Sequence, residues 1–378
     1  MSITIAFSGD VSFSGIFSTL HDSSFVSEEI KRFLSEADHS VFNIEGPLTS
    51  SASRDKKGVS LSSGPEKNTV LKELGCDIFN LANNHIMDCG IAGLEDTLAV
   101  ARTNDQQAFG AGTNLQNASA PLFLHKEGIA VALIAVAHPE GPLASSTSPG
   151  IFCDNQRELI KKAILECKKR SDAVILNYHG GEEFTFVPMP RRRMQFIEYI
   201  DWGADVVIGH HPHVVQGYEM HNGKHIFYSL GNFIFNLDSH RACLGTDESV
   251  LLKLIIDKNT VAFDACFTKS NLNSGQIMAD TSNAKFFEYS AIEYGSLWEM
   301  ECLRTLKHHY ISIKQRALIA NPSSHLRFFN AIPCFFHPPL KMIKFLLSLR
   351  SFRHVNQWPK LKGCITHFIR KASPRLSP

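Results

Sequence analysis

The sequence has no apolar run long enough to cross a bilayer. No window reaches the roughly 18 uncharged apolar residues of a spanning helix, so a soluble protein is expected. The amino terminus, Met1-Ser2-Ile3-Thr4-Ile5-Ala6-Phe7, lacks the basic start and long apolar stretch of a secretory signal and alternates like a strand instead. No CxxC pair occurs among the nine cysteines, which are odd in number and scattered. They read as reduced, mostly buried thiols, and a cytoplasmic compartment is expected. Internal repeats are also missing, which excludes a repeat architecture. Neither sign of charge dominates, the formal net charge being +1. That balance hides one further absence. Residues 302–378 contain no Asp or Glu but 14 Lys/Arg, which leaves 24 basic and 37 acidic residues in 1–301. An acidic body is joined to a basic end.

What is present is a regular alternation of short β-rich runs and helical stretches. Strands are predicted over Ile3–Phe7, Ser40–Ile44, Asp77–Leu81, Ile129–Val136, Ala173–Tyr178, Asp205–Gly209 and His225–Ser229, with two more near Ser249–Ile256 and Thr260–Thr268. Helices are predicted over Ser27–Glu36, Gly64–Leu74, Gly90–Arg102, Asn155–Arg170 and Arg191–Trp202. Continuous apolar runs such as Val131 to Val136 suit strands buried on both faces. The fold class is therefore α/β, with a central, largely parallel sheet. Three regions are expected: a domain over 1–270, a polar connection over 271–301, and a basic, aromatic-rich helical extension over 302–378.

Polar residues of metal-binding type stand just past the strand ends, where open α/β sheets place their ligand sites. Gly9-Asp10 follows the first strand and Asn43-Ile44-Glu45 the second. Ala82-Asn83-Asn84-His85 with Asp88 follows the third. His179 with Glu182-Glu183, and Gly209-His210-His211-Pro212-His213, follow two later apolar strands. Singly, each has an ordinary explanation: Asp10 as a turn or cap residue, Asn83-Asn84 as turn formers, His179 as a buried, hydrogen-bonded histidine. Three histidines in four residues after a buried strand are costly unless they bind something. Carboxylate, amide and imidazole donors together suit one or two divalent ions such as Mn, Fe or Zn.

In order along residues 3–236, these segments resemble the CapA family of poly-γ-glutamate capsule-synthesis proteins. The matching stretches are Ser8-Gly9-Asp10, Asn43 to Pro47, Leu81 to Gly90 with Gly93 and Thr97, His179-x-Gly181-x-Glu183, Gly203 to His213, and Tyr228 to Phe233. The resemblance implies a metallophosphoesterase-like two-sheet sandwich flanked by helices (αββα). It also implies that Asp10, Glu45, Asn84, His179, His211 and His213 are metal ligands. His85, oriented by Asp88, would act on the substrate, and Glu183 would serve as a base or orient His179. The chain departs from the pattern at Ser12, where metallophosphoesterases carry His, and at Asn43/Glu45, where an Asp is usual. Gly180 and Phe184 stand where the family commonly has Trp and Tyr.

The implied function is metal-dependent hydrolysis or transfer on a polymeric, phosphorylated or acyl substrate during capsule or other surface-polymer production. The alternatives are a non-catalytic metal-binding component of a polymer synthesis or export assembly, and a general phosphodiesterase. Ile91, Leu94, Leu98 and Val100 read as a core-facing stripe, and Arg191-Arg192-Arg193 as a solvated helix start. Residues 302–378 mix basic and aromatic residues. Leu340 to Arg350 suggests a helix with one apolar and one basic face, suited to packing on the acidic body, to peripheral contact with anionic lipid on the inner membrane face, or to attracting a polyanion such as a glutamate polymer. No nucleic-acid partner is expected, because no regular binding motif is present.

Overall fold

The computed structural model describes residues 1–52, 59–241 and 243–280; most of the expected connection and all of the basic extension lie outside the described residues. Two mixed sheets form the centre. In the first, the strands Ile3–Val11, His39–Ile44, Ile78–Asn80 and Gln107–Phe109 run parallel and in sequence. Glu248–Ile256, Val261–Ser270 and Ile277–Ala279 continue it antiparallel from the other side of Ile3–Val11. The sheet thus extends beyond the expected boundary at residue 270. The second sheet has Ile129–Ala137, Ala173–His179, Val206–His210 and Lys224–Leu230 in parallel, with Leu122–Lys126 and Val215–His221 as antiparallel edges.

The burial pattern shows why the second sheet's strands are continuously apolar. Along Ile129–Ala137, Val131, Leu133, Ala135 and Ala137 pack toward the first sheet, while Ala132, Ile134 and Val136 pack outward. Ala173 and Ile175 against Val174 and Leu176 repeat the alternation, as do Val206 and Ile208 against Val207. Successive side chains point to opposite faces, so both must be apolar when both are covered. The outward face is covered by Ile160, Ile164 and Cys167 of helix Arg157–Lys168 and by Phe196, Tyr199 and Ile200 of helix Pro190–Asp201. Pro190 sits in the first turn of the latter, where a missing N–H costs nothing. Ile30 and Leu34, Val70 and Leu71, and Leu94 and Ala101 bring three further helices into the core that contains the first sheet. The expected αββα sandwich is the observed one. Each fully buried Leu, Ile or Val contributes about 1.5–3 kcal/mol by leaving water.

Two details differ from the reading of the sequence. In helix Gly90–Thr103 the buried positions are Gly90, Gly93, Leu94, Thr97 and Ala101; Leu98 and Val100 of the expected stripe pack partly buried against the core, while Ile91 is exposed. Thr97 is buried because its hydroxyl accepts from the Leu48 amide (2.9 Å) and donates to the Gly93 carbonyl (2.7 Å). Arg192 is not solvated but buried, its guanidinium 4.3 Å from the centre of the Tyr178 ring.

Strand register then places the site. One level of the first sheet reads Asn232, Asp10, Asn43 and Asn80 across four strands; one level of the second reads Ala137, His179 and His210. Both rows lie at or next to the carboxyl ends of parallel strands, except that Asn232 opens the short strand Asn232–Ile234. Gly9 permits the approach that makes the first row, because a Cβ there would collide with the Gly231 carbonyl oxygen.

Candidate metal centre

Asp10 is fully buried and held from several sides. Its Oδ1 accepts from Asn43 Nδ2 (2.7 Å) and its Oδ2 from the His211 amide (3.2 Å). Asn43 Oδ1 in turn accepts from Asn80 Nδ2 (3.0 Å), and Asn80 Oδ1 from the Ala82 amide (3.2 Å). This amide chain runs along the first-sheet row and fixes which end of Asn43 faces the carboxylate. His213 Nδ1 and His210 Nδ1 each lie 3.5 Å from an Asp10 oxygen.

Glu45 is the meeting point of three imidazoles. Its Oε1 lies 3.8 Å from His213 Nε2, 3.9 Å from His179 Nε2 and 3.9 Å from His85 Nε2. Two groups of donor atoms, each within 4.8 Å of one another, share this carboxylate: Asp10, Glu45 and His213, and Glu45, His179 and His211. Asn84 Oδ1 joins the second group, 3.0 Å from His179 Nε2. Ser12 offers no imidazole, so the first group has three members. Five of the six ligands implied by the resemblance therefore fall into two buried groups, and the sixth, Asn84, borders one of them.

The neighbours orient these rings. Asn232 Nδ2 donates to the Thr246 carbonyl (3.0 Å), so its Oδ1, 2.9 Å from His213 Nδ1, is the acceptor. That fixes the Nδ1–H tautomer and leaves Nε2 as the lone pair facing Glu45. Burial first, then the adjacent His211, His210, His213 and His85, hold the His179 imidazole well below its usual pKa, so it stays neutral. His211 and His213 both have positive φ, +94° and +59°, uncommon outside glycine. A neutral His179, buried carboxylates and further imidazoles converging on a common centre fit one or two divalent ions.

His85 and Asp88 pair as expected: His85 Nδ1 is 2.7 Å from Asp88 Oδ2, which also accepts from the Leu61 amide (2.8 Å). Two amide side chains, Asn43 and Asn84, stand against the two nitrogens of His179. They lie 3.3 Å from Nδ1 and 3.0 Å from Nε2, while Glu183 stands part-exposed on the following loop.

The family model for the bacterial capsule synthesis protein PGA_cap matches residues 4–237, more than half of the chain and every element that carries the site. The chain belongs to that family. Among CapA proteins, it is 32% identical over 247 residues to the capsule biosynthesis protein CapA of Bacillus anthracis, covering 63% of this chain and 59% of that protein. It is 33% identical over 228 residues to the PGA biosynthesis protein CapA of Bacillus subtilis, covering 59% of each. The chain thus matches about three fifths of the length of these relatives. A distant likeness in solved structures is to the 5'-nucleotidase of Candida albicans, with TM-score 0.42 and 11% identity over 83% of this chain and 58% of that one.

Roles for Asn43, Asn80, Asn232 and His210 in this CapA relative were missed in the sequence, although all but Asn80 lie in or beside its motifs. The signal was an amide or imidazole at or beside a strand end, whose neighbours are not known until the register is. His138, Glu140, Asp154 and Arg192 were missed as well. His138 Nδ1 is 3.1 Å from Asp154 Oδ2, and Asp154 also accepts from the Tyr178 hydroxyl (2.6 Å). Among the described residues no helix is long and apolar enough to cross a membrane.

Proposed function

We propose that this protein is a metal-dependent hydrolase or transferase, acting on an acyl or phosphoryl substrate in the production of capsule, poly-γ-glutamate or another surface polymer. The observation that carries the reading is the buried Glu45 carboxylate shared by two donor groups, an arrangement suited to a pair of ions a few ångströms apart. The polymer comes from the names of the two CapA relatives. Bound ions would lower the pKa of water and polarise the substrate's phosphoryl or carbonyl oxygen. The chain's own residues do the rest. Asp10, Asn84, His179, His211 and His213 would hold the ions with Glu45, and Asn43 and Asn232 keep two of these rings in register. His85, with Nδ1 tied to Asp88 and Nε2 turned to the centre, can hold a proton at Nε2 and give it to a leaving atom. Such a group contributes typically 10²–10⁴-fold to the rate.

The test is elemental analysis of wild type beside His179→Ala and His211→Ala, followed by assays on phosphodiester and γ-glutamyl amide substrates with Mn, Fe or Zn. Wild type is expected to hold one or two ions, the variants fewer, and His85→Gln to keep its metal while losing turnover by the factor above. Metal held without turnover of any substrate would favour a non-catalytic role in a polymer assembly. A wild type that stays empty in all three metals overturns the reading.

A further inference from the structure

On the second sheet's side of the centre, a row of polar, titratable side chains leads away from His211 and belongs to none of the ligand motifs. His211 Nε2 lies 3.6 Å from Glu140 Oε2; Glu140 Oε1 lies 3.9 Å from His138 Nε2; His138 Nδ1 lies 3.1 Å from Asp154 Oδ2. His138 and Glu140 follow directly on strand Ile129–Ala137, and the His138 amide donates to the His179 carbonyl (2.8 Å). The row is thereby tied to the strand that carries a ligand. Its far end is anchored: Asp154 Oδ2 accepts from Tyr178 and from Gln195 Nε2 (3.3 Å), and the buried Arg192 lies 3.7 Å away. Gly180 leaves room for it, because a Cβ there would meet the His138 Cβ at 2.6 Å.

We propose that Glu140 and His138, backed by Asp154, form an arm that sets the ring of His211, with Nε2 turned to Glu140 and Nδ1 left for a cation. This rests on the metal-centre reading above. Ligand histidines commonly present their second ring nitrogen to a carboxylate, which fixes the tautomer and makes the ligating nitrogen more basic. His211 then faces opposite to His213, whose Nδ1 is turned to Asn232. Contacts of 3.6 and 3.9 Å are ion-pair distances rather than hydrogen bonds. A cation held by His211 would make its N–H a stronger donor toward the Glu140 carboxylate. Glu140 and His138 are positioning residues in this account, acting through His211.

The arm is tested on the full chain by competing Zn²⁺ alone against a chromophoric chelator. Glu140→Ala is expected to weaken zinc binding by about 10–100-fold. Glu140→Gln keeps an acceptor without the charge and should fall between wild type and Glu140→Ala. His138→Gln should shift in the same direction. In a His211→Ala background the Glu140→Ala change should cost no further affinity, because the ring it holds is gone. The melting temperature of each metal-free variant separates lost affinity from lost fold. Wild-type affinity in Glu140→Ala, or a full additional loss in the double variant, overturns the arm and leaves the metal centre standing. A wild type that binds no zinc overturns both.

Discussion

A buried carboxylate is tolerated when its neighbours supply what water would, and Asp154 shows how. Burial alone would raise its pKa, but His138, the Tyr178 hydroxyl and the Arg192 guanidinium together hold it well below the usual carboxylate range. A depressed folded pKa contributes stability that is fully present above the unfolded value, about 3.9, and is lost as pH falls through the folded one. Asp154→Asn should therefore cost about 3 kcal/mol at neutral pH, the usual consequence of leaving a buried cation without its anion. The gap to wild type should narrow steadily below about pH 4, as Asp154 of the unfolded chain takes up a proton that the folded one resists. Urea denaturation at pH 7 and across the acid range measures this. A gap that stays constant would mean that Asp154 is not ionised in the folded protein.

At the scale of the element, the site is made by strand register, and register depends on close approach. The first strand pairs with His39–Ile44 on one side and, at Asp10, with Asn232 on the other, with shifts in register around Ser8-Gly9-Asp10. Gly9→Ala would drive a methyl group into the Gly231 carbonyl, a backbone atom that cannot swing aside. A loss of about 2–3 kcal/mol is expected, with metal content falling in parallel because Asp10 moves with its strand. A variant that lost stability but kept full metal would separate the strand junction from the centre. The ligand series was legible in the sequence because each member follows an apolar run and the runs are long enough to recognise. Edge strands such as Val215–His221 and Leu122–Lys126 were not, since Gly217, Glu219, His125 and Lys126 break the apolar pattern where one side meets solvent. In the amide chain from Asn80 through Asn43 to Asp10, the two asparagines were legible only as polar residues inside predicted strands. Its meaning lies in which strands are neighbours, and local residue order does not carry that. Arg192 was misread for a related reason: three adjacent arginines at a helix start look alike until Tyr178 and Asp154 are seen beneath one of them.

For the whole molecule the outstanding question is electrostatic. Residues 1–301 carry 37 acidic and 24 basic residues, so at neutral pH the body is repelled by an anionic surface. The 14 basic residues of 302–378, with no acidic residue among them, have two possible uses: compensating the body, or holding it against lipid of opposite sign. These uses differ in their response to salt. Attraction to an anionic membrane contributes about 1 kcal/mol per basic residue near the surface and fades beyond a Debye length of about 10 Å at 0.1 M salt. We propose the membrane contact. The full chain should then sediment with vesicles containing phosphatidylserine at low salt, be released by about 0.5 M NaCl, and ignore neutral vesicles. Changing Lys341, Lys344 and Arg350 together to Gln should weaken vesicle binding by more than tenfold without altering metal content, because the ligands all lie within residues 10–213. Binding to neither kind of vesicle would leave the extension as a counterweight to the acidic body, and equal binding to both would overturn the electrostatic contact in favour of an apolar one.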